Sequence, residues 1–186
     1  EADGCVIEEA LHLFQAGGKR FRPMFTVLSG RIGGAPSDQV ITAAAAMELT
    51  HLATLYHDDV MDEAPMRRGA QSANARWSNS IAILSGDFLF ARASRLVSTL
   101  GPESVRIIAE TFAELVTGQM RETIGAGDVD PIEHYLKVVW EKTGSLIAAA
   151  GRFGAMTSGA TPDDVERLVL DPDELAGVLG DVAVDR

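Results

Sequence analysis

Residues 37–62 read SDQVITAAAAMELTHLATLYHDDVMD, and this stretch decides the predicted fold. It is rich in strong helix formers, it has no internal glycine or proline, and Ser37 stands where it can cap a first turn. We therefore predict one long helix that ends near Asp62. The alanines from Ala43 to Ala46 indicate a close contact with a neighbouring helix.

Other parts of the chain also show apolar residues at helical spacing. These stretches are residues 80–100, residues 103–124 and residues 130–156. Asp130, Pro131 and Glu133 form a helix-start signature, and similar openings occur at Thr161 and Asp171. No run of alternating polar and β-branched residues indicates a sheet. We predict an all-α domain of several long antiparallel helices.

The composition fits a single globular domain over residues 1–186, since 46% of the residues are hydrophobic. There are 16 Lys and Arg residues against 27 Asp and Glu, a formal net charge of -11. This charge disfavours nucleic acid or an anionic bilayer as a partner. Cys5 is the single cysteine and cannot form an internal disulfide. We expect a cytoplasmic protein that has no integral membrane segment and binds no nucleic acid.

Three carboxylates stand at the end of the long helix. Asp58 and Asp62 are one turn apart, and Asp59 is three residues from Asp62, so we expect all three to converge. Converging carboxylates repel one another unless a cation joins them, and Mg²⁺ prefers carboxylate, phosphate and water oxygens. Arg67 and Arg68 follow, and guanidinium groups can grip phosphate oxygens. The alternative is a solvated acidic helix end beside a chance pair of arginines.

A second charged cluster, GGKRFRP, spans residues 17–23. Its glycines let the backbone approach a ligand closely and its cations can hold an anion, which favours an anion cradle over a plain basic turn. His51 lies two turns before Asp58, and the simpler interpretation of His51 is a buried core histidine. Lys142 in EKTG is, by itself, typical of a surface lysine.

Four motifs in this order and spacing resemble the trans-isoprenyl diphosphate synthases, or polyprenyl synthetases. They are GGKRFRP (17–23), HLATLYHDDVMDEAPMRRG (51–69), GDFLFARA (86–93) and EKTG (141–144). The resemblance covers about residues 15–159. It implies the isoprenoid synthase helical bundle with a central cavity, usually as a homodimer. It also implies a prenyltransferase that joins isopentenyl diphosphate head-to-tail onto an allylic diphosphate.

The resemblance also implies roles for individual residues. Asp58, Asp59 and Asp62 match the first aspartate-rich motif, which holds the allylic diphosphate through Mg²⁺. Arg67, Lys142 and Thr143 match positions at the same diphosphate, and Lys142 is expected to be catalytic together with the aspartates. The pocket for isopentenyl diphosphate is matched by Lys19, Arg22, His51 and Arg68. The chemistry agrees, because cations stabilise the charge that develops on a leaving diphosphate.

Small residues precede Asp58 on the face where the growing product would run. They are Thr54, Ala53 and Thr50. Family members with short products commonly carry an aromatic floor at one of the first two positions, so we predict a medium- or long-chain product and expect Ala53→Phe to shorten it. These residues could instead be small only for helix packing, and Phe88 or Phe90 could supply a deeper floor.

The second aspartate-rich motif of the family, roughly FQxxDDxxD, is not found in the sequence. The acids near the end do not reproduce it: Asp171, Asp173, Glu174, Asp181 and Asp185. We favour a segment omitted near residues 168–170, and the catalytic prediction holds only if that motif exists outside these residues. The alternatives are a fragment or a noncatalytic regulatory subunit. A terpene cyclase is disfavoured because it would not use a second diphosphate cradle.

Overall fold

The computed structural model describes residues 2–34 and 37–168. Its elements are α1 (Ala2–Gln15), α2 (Phe21–Ser29), α3 (Asp38–Met61), β1 (Met66–Arg67), β2 (Ala70–Gln71), α4 (Ala73–Arg76), α5 (Asn79–Ser98), α6 (Pro102–Ile124), α7 (Pro131–Val139), a π-helical segment (Trp140–Gly144), α8 (Ser145–Ser158) and α9 (Pro162–Arg167). The predicted all-α fold is confirmed. One feature was not expected: β1 and β2 pair as an antiparallel hairpin whose strands are too short for a sequence pattern.

The predicted helix starts carry the expected caps. The Ser37 hydroxyl accepts a hydrogen bond from the Val40 amide at 3.3 Å. The Asp130 carboxylate accepts from two amides of the first turn of α7, at 2.9 and 3.0 Å. Thr161 likewise accepts from the Asp164 amide at 3.2 Å. These bonds satisfy amides that the helix itself leaves unpaired, which explains where the helices begin.

Helix α3 lies at the centre of the described fold. It packs mainly against α5, and also against α2 and α8. Helices α3 and α5 run antiparallel, since His57 contacts the Ile83 carbonyl while Gly86 lies over the Ala53 carbonyl. Residues on every side of α3 are buried, among them the predicted contact alanines except Ala45. A helix with so many buried residues is held by tertiary packing more than by propensity.

The core consists of two hydrophobic clusters along α3. The first surrounds the N-terminal half of α3 and includes Phe153, Leu146 and Val97. The second surrounds the C-terminal half and includes Tyr56 and Leu13. In the second cluster the Tyr56 hydroxyl accepts from the Leu13 amide at 3.2 Å and donates to the Glu9 carbonyl at 2.5 Å. This contact fixes α1, and with it the loop that follows α1, against α3.

Helices α2 and α8 approach closely because α8 has glycines at the contact. A Cβ at Gly154 would overlap the Thr26 carbonyl oxygen, and a Cβ at Gly151 would lie 2.8 Å from the Phe25 ring. This packing orients α2, whose first turn carries Arg22.

Within the described residues, no helix is long and apolar enough to cross a membrane.

Several of the sequence predictions fall at the end of the chain. The helix opening at Asp171 and all the scattered acids that follow it lie outside the described residues. The segment predicted to be omitted near residues 168–170 also lies there, apart from Leu168, which caps α9.

Candidate functional site

Asp59 is the most deeply buried of the three aspartates at the end of α3. Its side chain is 0% exposed, and its Oδ1 accepts a hydrogen bond from Arg67 Nε at 2.6 Å. Its other oxygen, Oδ2, is buried and has no hydrogen-bond partner among the described residues. Burial raises the pKa of the Asp59 carboxyl, while the hydrogen bond and charge of Arg67 oppose that rise. Asp59 and Arg67 thus form an ion pair in which Asp59 is buried and Arg67 is partly exposed.

Asp58 and Asp62 occupy a different position from Asp59. Asp58 lines an open cavity, and Asp62 caps the helix one turn later with an exposed side chain. Burial raises the pKa of the Asp58 carboxyl; the charge of Lys142 works against this rise and the charge of Asp62 adds to it. Since consecutive residues of a helix point in different directions, Asp58 and Asp59 diverge.

The predicted convergence of all three carboxylates is therefore not found. Over residues 2–34 and 37–168, no group of three His, Cys, Asp or Glu side chains is arranged to hold a metal ion. A narrower metal site does fit. Mg²⁺ takes one or two protein carboxylates and fills its other positions with water and substrate phosphate. Asp58 and Asp62 offer such a pair, and the charge of Asp62 makes ionisation of Asp58 less favourable, which a bound cation would relieve.

Lys142 lies across from Asp58, in the π-helical segment between α7 and α8. Its ammonium pairs with Glu122 of α6 at 2.5 Å, and 24% of its side chain is exposed. Its charge acts on Asp58, as the pKa of that carboxyl shows. Thr143 is the next residue of the segment and is partly buried. Lys142 is therefore close enough to Asp58 for their charges to interact, and its role at the diphosphate stays a prediction.

An apolar cavity of about 390 Å³ extends from Asp58 between α3, α5 and α6. Met61 and Met120 stand near its outer end, beside Asp62, while Thr54 lies two turns deeper on α3. Phe112 of α6 lines the deep end and packs against Phe90 of α5, with ring centroids 4.2 Å apart. The other lining residues are His57, Val60, Ile83, Asp87, Leu115, Val116 and Gln119.

The chain-length residues predicted from the sequence are only partly at this cavity. Thr54 lines it, but Ala53 and Thr50 do not. Ala53 is 1% exposed and packs in the cluster with Tyr56, and Thr50 is fully buried with its hydroxyl donating to the Ala46 carbonyl. No Phe, Tyr or Trp residue of α3 lines this cavity, and Phe112 of α6, packed against Phe90, is the aromatic residue at its deep end.

Arg22 and His51 are partly buried and form a corner beside α3, called the cationic corner here because Arg22 carries its charge. Arg22 Nε is buried and unpaired in the part of the chain that the structure describes, and burial lowers the pKa of its guanidinium. Burial, together with the nearby charges of Arg22 and Arg68, lowers the pKa of His51 to about 3. A buried donor without a partner is costly. This corner therefore has unused capacity for an anion.

Arg68 and Arg20 hold the loop between α1 and α2, which borders this corner. Arg68 Nη1 donates to the Leu13 and Gly17 carbonyls at 3.1 and 2.5 Å, and Gly18 packs against its guanidinium. Arg20 ion-pairs with buried Glu48 and lies over the Phe14 ring, with Cζ 4.3 Å from the centroid. Both arginines adopt left-handed backbone conformations, with φ of 53° and 51°. The loop thus has a defined shape, and Lys19 projects from it as an exposed residue.

Several residues at the site were missed in the sequence. Phe112 and Met120 lie on one face of α6 at helical spacing, a signal that also fits ordinary core packing. Glu48 and Glu141 are buried acids whose partners are distant in the chain, Arg20 and Arg121. Nothing in a single sequence joins such pairs. Arg20 itself was part of the GGKRFRP cluster.

Comparisons with known proteins agree with this geometry. The family model described as "Polyprenyl synthetase" matches residues 5–171. Nonaprenyl diphosphate synthase from Mycobacterium tuberculosis is 65% identical over 182 residues, which cover 97% of this chain and 53% of that protein.

Solved structures are similar too. Geranylgeranyl pyrophosphate synthase from Corynebacterium glutamicum, complexed with calcium and isoprenyl diphosphate, has a TM-score of 0.80 and 58% identity, covering 89% of this chain and 51% of that one. A decaprenyl diphosphate synthase from Rhodobacter capsulatus has a TM-score of 0.83 and 37% identity, with coverage of 88% and 51%. The chain spans about half the length of these relatives.

Proposed function

Since the chain belongs to the polyprenyl synthetase family, we propose that the protein condenses isopentenyl diphosphate head-to-tail with an allylic diphosphate. The observation that carries this proposal is the placement of two distinct charged sites on α3. Asp58 and Asp62, with Lys142 opposite, stand at the mouth of the apolar cavity. The cationic corner of Arg22 and His51 lies about two turns back along the helix. One protein with two phosphate-binding sites beside an apolar cavity suits two diphosphate substrates.

At the first site, the side chains are suited to hold the allylic diphosphate while its carbon–oxygen bond breaks. Asp58 and Asp62 would hold Mg²⁺, which when bound neutralises charge on the diphosphate. Lys142 adds a fixed cation on the facing helix, where it can stabilise the charge that develops on the leaving group. Arg67 keeps Asp59 neutralised, and about 30% of its side chain remains exposed for a phosphate contact. The allylic tail enters the apolar cavity.

At the second site, cationic side chains and a neutral histidine would hold isopentenyl diphosphate without a metal ion. Arg22 has a free buried donor, and His51 has a pKa low enough to be neutral and able to donate one hydrogen bond. Lys19 lies on the loop between α1 and α2, and Arg68 holds this loop by donating to the Gly17 carbonyl. No side-chain base is required, because the released diphosphate can accept the proton.

We propose a medium- or long-chain product whose length is set at the deep end of the cavity. Relatives named for geranylgeranyl, nonaprenyl and decaprenyl products all match this chain well, so overall similarity does not fix the length. Thr54 is small and leaves the cavity open, while Phe112, packed against Phe90, narrows the cavity at its deep end. These residues replace Ala53 as the proposed determinants.

A noncatalytic regulatory subunit is the second candidate function. The comparisons favour the synthase over this alternative, because the similar proteins are named as prenyl-transferring enzymes. The predicted homodimer and the predicted cytoplasmic location stay predictions.

A turnover assay separates the two functions. The protein is incubated with Mg²⁺, labelled isopentenyl diphosphate and an allylic diphosphate, and the products are separated by chain length. We expect elongated prenyl diphosphates, and their loss in Asp58→Asn. Binding of both diphosphates without any product would overturn the enzymatic proposal in favour of the regulatory subunit.

A further inference from the structure

The π-helical segment Trp140–Gly144 interrupts what would otherwise be one helix from α7 to α8. A π segment places one residue more in a turn than an α-helix does, and such segments often occur at functional sites. Here the segment carries Lys142, the fixed cation at the allylic diphosphate in the proposed function. Its exact orientation therefore decides where the Lys142 ammonium stands.

Helix α6 holds this segment by directional contacts from one stripe of residues. Trp140 Nε1 donates to Glu114 Oε1 at 2.6 Å. One turn further along α6, a Cβ at Gly118 would lie 2.6 Å from Glu141 Cβ and 2.8 Å from the Lys142 amide nitrogen. Arg121 then donates two hydrogen bonds to Glu141, at 2.8 and 3.1 Å.

The Arg121–Glu141 pair is not explained by stability alone. Glu141 is 7% exposed, and a buried ion pair can often be replaced by apolar side chains without loss of stability. The pair fixes the orientation of the Glu141 side chain, because a guanidinium and a carboxylate joined by two hydrogen bonds have a fixed relative orientation. Glu141 directly precedes Lys142, so that orientation is passed on to the lysine.

We propose that Arg121 is a positioning residue for Lys142. By holding Glu141 over the gap that Gly118 leaves, it keeps the π-helical segment turned so that the Lys142 ammonium, which pairs with Glu122, stays close enough for its charge to act on Asp58. The inference rests on the proposed function, in which Lys142 contacts the allylic diphosphate. Removing Arg121 and Glu141 together should then weaken this diphosphate site and leave the cationic corner of Arg22 and His51 intact.

Calorimetric titration with inorganic diphosphate can test this, because the two sites differ in their need for metal. Binding with Mg²⁺ reports on both sites, and binding in its absence reports on the cationic corner. The test variant is Arg121→Met with Glu141→Met, which avoids leaving one buried charge unpaired. A second variant, Gly118→Ala, keeps every charge and displaces the segment instead. The matched control is Arg106→Met with Glu110→Met, an exposed pair on the same helix.

We expect Lys142→Ala and both test variants to weaken the Mg²⁺-dependent binding about tenfold, the loss of one charge-assisted hydrogen bond. Metal-independent binding and the control should keep wild-type affinity. Wild-type affinity in both test variants, with Lys142→Ala impaired, would overturn the inference and leave the proposed function standing. A Lys142→Ala variant that binds like wild type would refute the assigned role of Lys142, and the inference with it.

Discussion

Replacing Arg67 by Met should destabilise the fold because it removes the partner of a buried charge. Asp59 is 0% exposed, Arg67 Nε gives its Oδ1 a hydrogen bond at 2.6 Å, and Oδ2 has no hydrogen-bond partner among the described residues. Breaking a buried ion pair by removing one member costs about 3–5 kcal/mol. Arg67 is 30% exposed, so water can reach the vacated position. We therefore expect about 3 kcal/mol, the lower end of that range.

The loss should depend on pH in a defined direction. Burial already raises the pKa of the Asp59 carboxyl, and removing Arg67 takes away the group that opposes this rise. In the variant the folded state thus binds a proton at a pH where the unfolded chain does not. The penalty is then complete above the folded-state pKa and shrinks as the pH falls toward the ordinary value of a carboxyl.

Urea unfolding followed by circular dichroism measures both effects. We expect the stability difference between wild type and Arg67→Met to be large at about pH 8 and smaller at about pH 5. Adding Asp59→Leu should recover most of the loss, since no unpaired charge is left. The control is Arg106→Met, which removes two solvent-exposed ion pairs and should change stability little. A difference below that of the control, or one that does not vary with pH, would refute the reasoning.

Three other predictions concern the cavity, the cationic corner and the core. Thr54→Phe should shorten the prenyl product and Phe112→Ala should lengthen it, as seen by chromatography of the products; equal lengths in both would show that the floor lies elsewhere. The pKa of His51 is about 3 in the folded state and 6.5 in the unfolded state, so below pH 6.5 the unfolded chain binds a proton that the folded protein does not. The free energy of unfolding therefore falls by up to about 1.4 kcal/mol per pH unit as the pH drops below 6.5. Wild type should therefore lose more stability than His51→Gln between about pH 7 and about pH 5, and parallel curves would contradict this. Gly154→Ala should destabilise by about 1–3 kcal/mol, because its Cβ would overlap the Thr26 carbonyl; an unchanged melting temperature would show that α2 can move aside.

The helices were predictable because their signals are local. Helix α3 begins and ends where Ser37 and Asp62 indicated, and Asp130 and Thr161 cap the helices that they were expected to cap. Local propensity, capping and apolar spacing all depend on residues a few positions apart, so one sequence is sufficient for them. The hairpin at Met66–Gln71 was missed because two residues are too few to show any alternation.

The site was predicted less completely because it depends on which helices meet. The helical positions of Asp58 and Asp59 were known, but the ion pair that turns Asp59 away requires the hairpin that delivers Arg67. Likewise, Ala53 and Thr54 are neighbours, and only the packing of α5 and α6 decides that Thr54 lines the cavity. The floor residue Phe112 is distant in the chain from every motif.

The hairpin between α3 and α4 also restricts how this segment can evolve. Arg67 reaches into the carboxylate site and the next residue, Arg68, reaches the opposite way to the Gly17 carbonyl. Arg67 ends β1 and Arg68 opens the turn with a left-handed backbone (φ 53°), so inserting or deleting one residue before Arg67 would put other residues at these two positions and break both contacts. Surface loops normally tolerate changes of length. We expect homologues of this chain to differ in sequence at Met66 or Gln71. We expect them rarely to differ in the length of this loop.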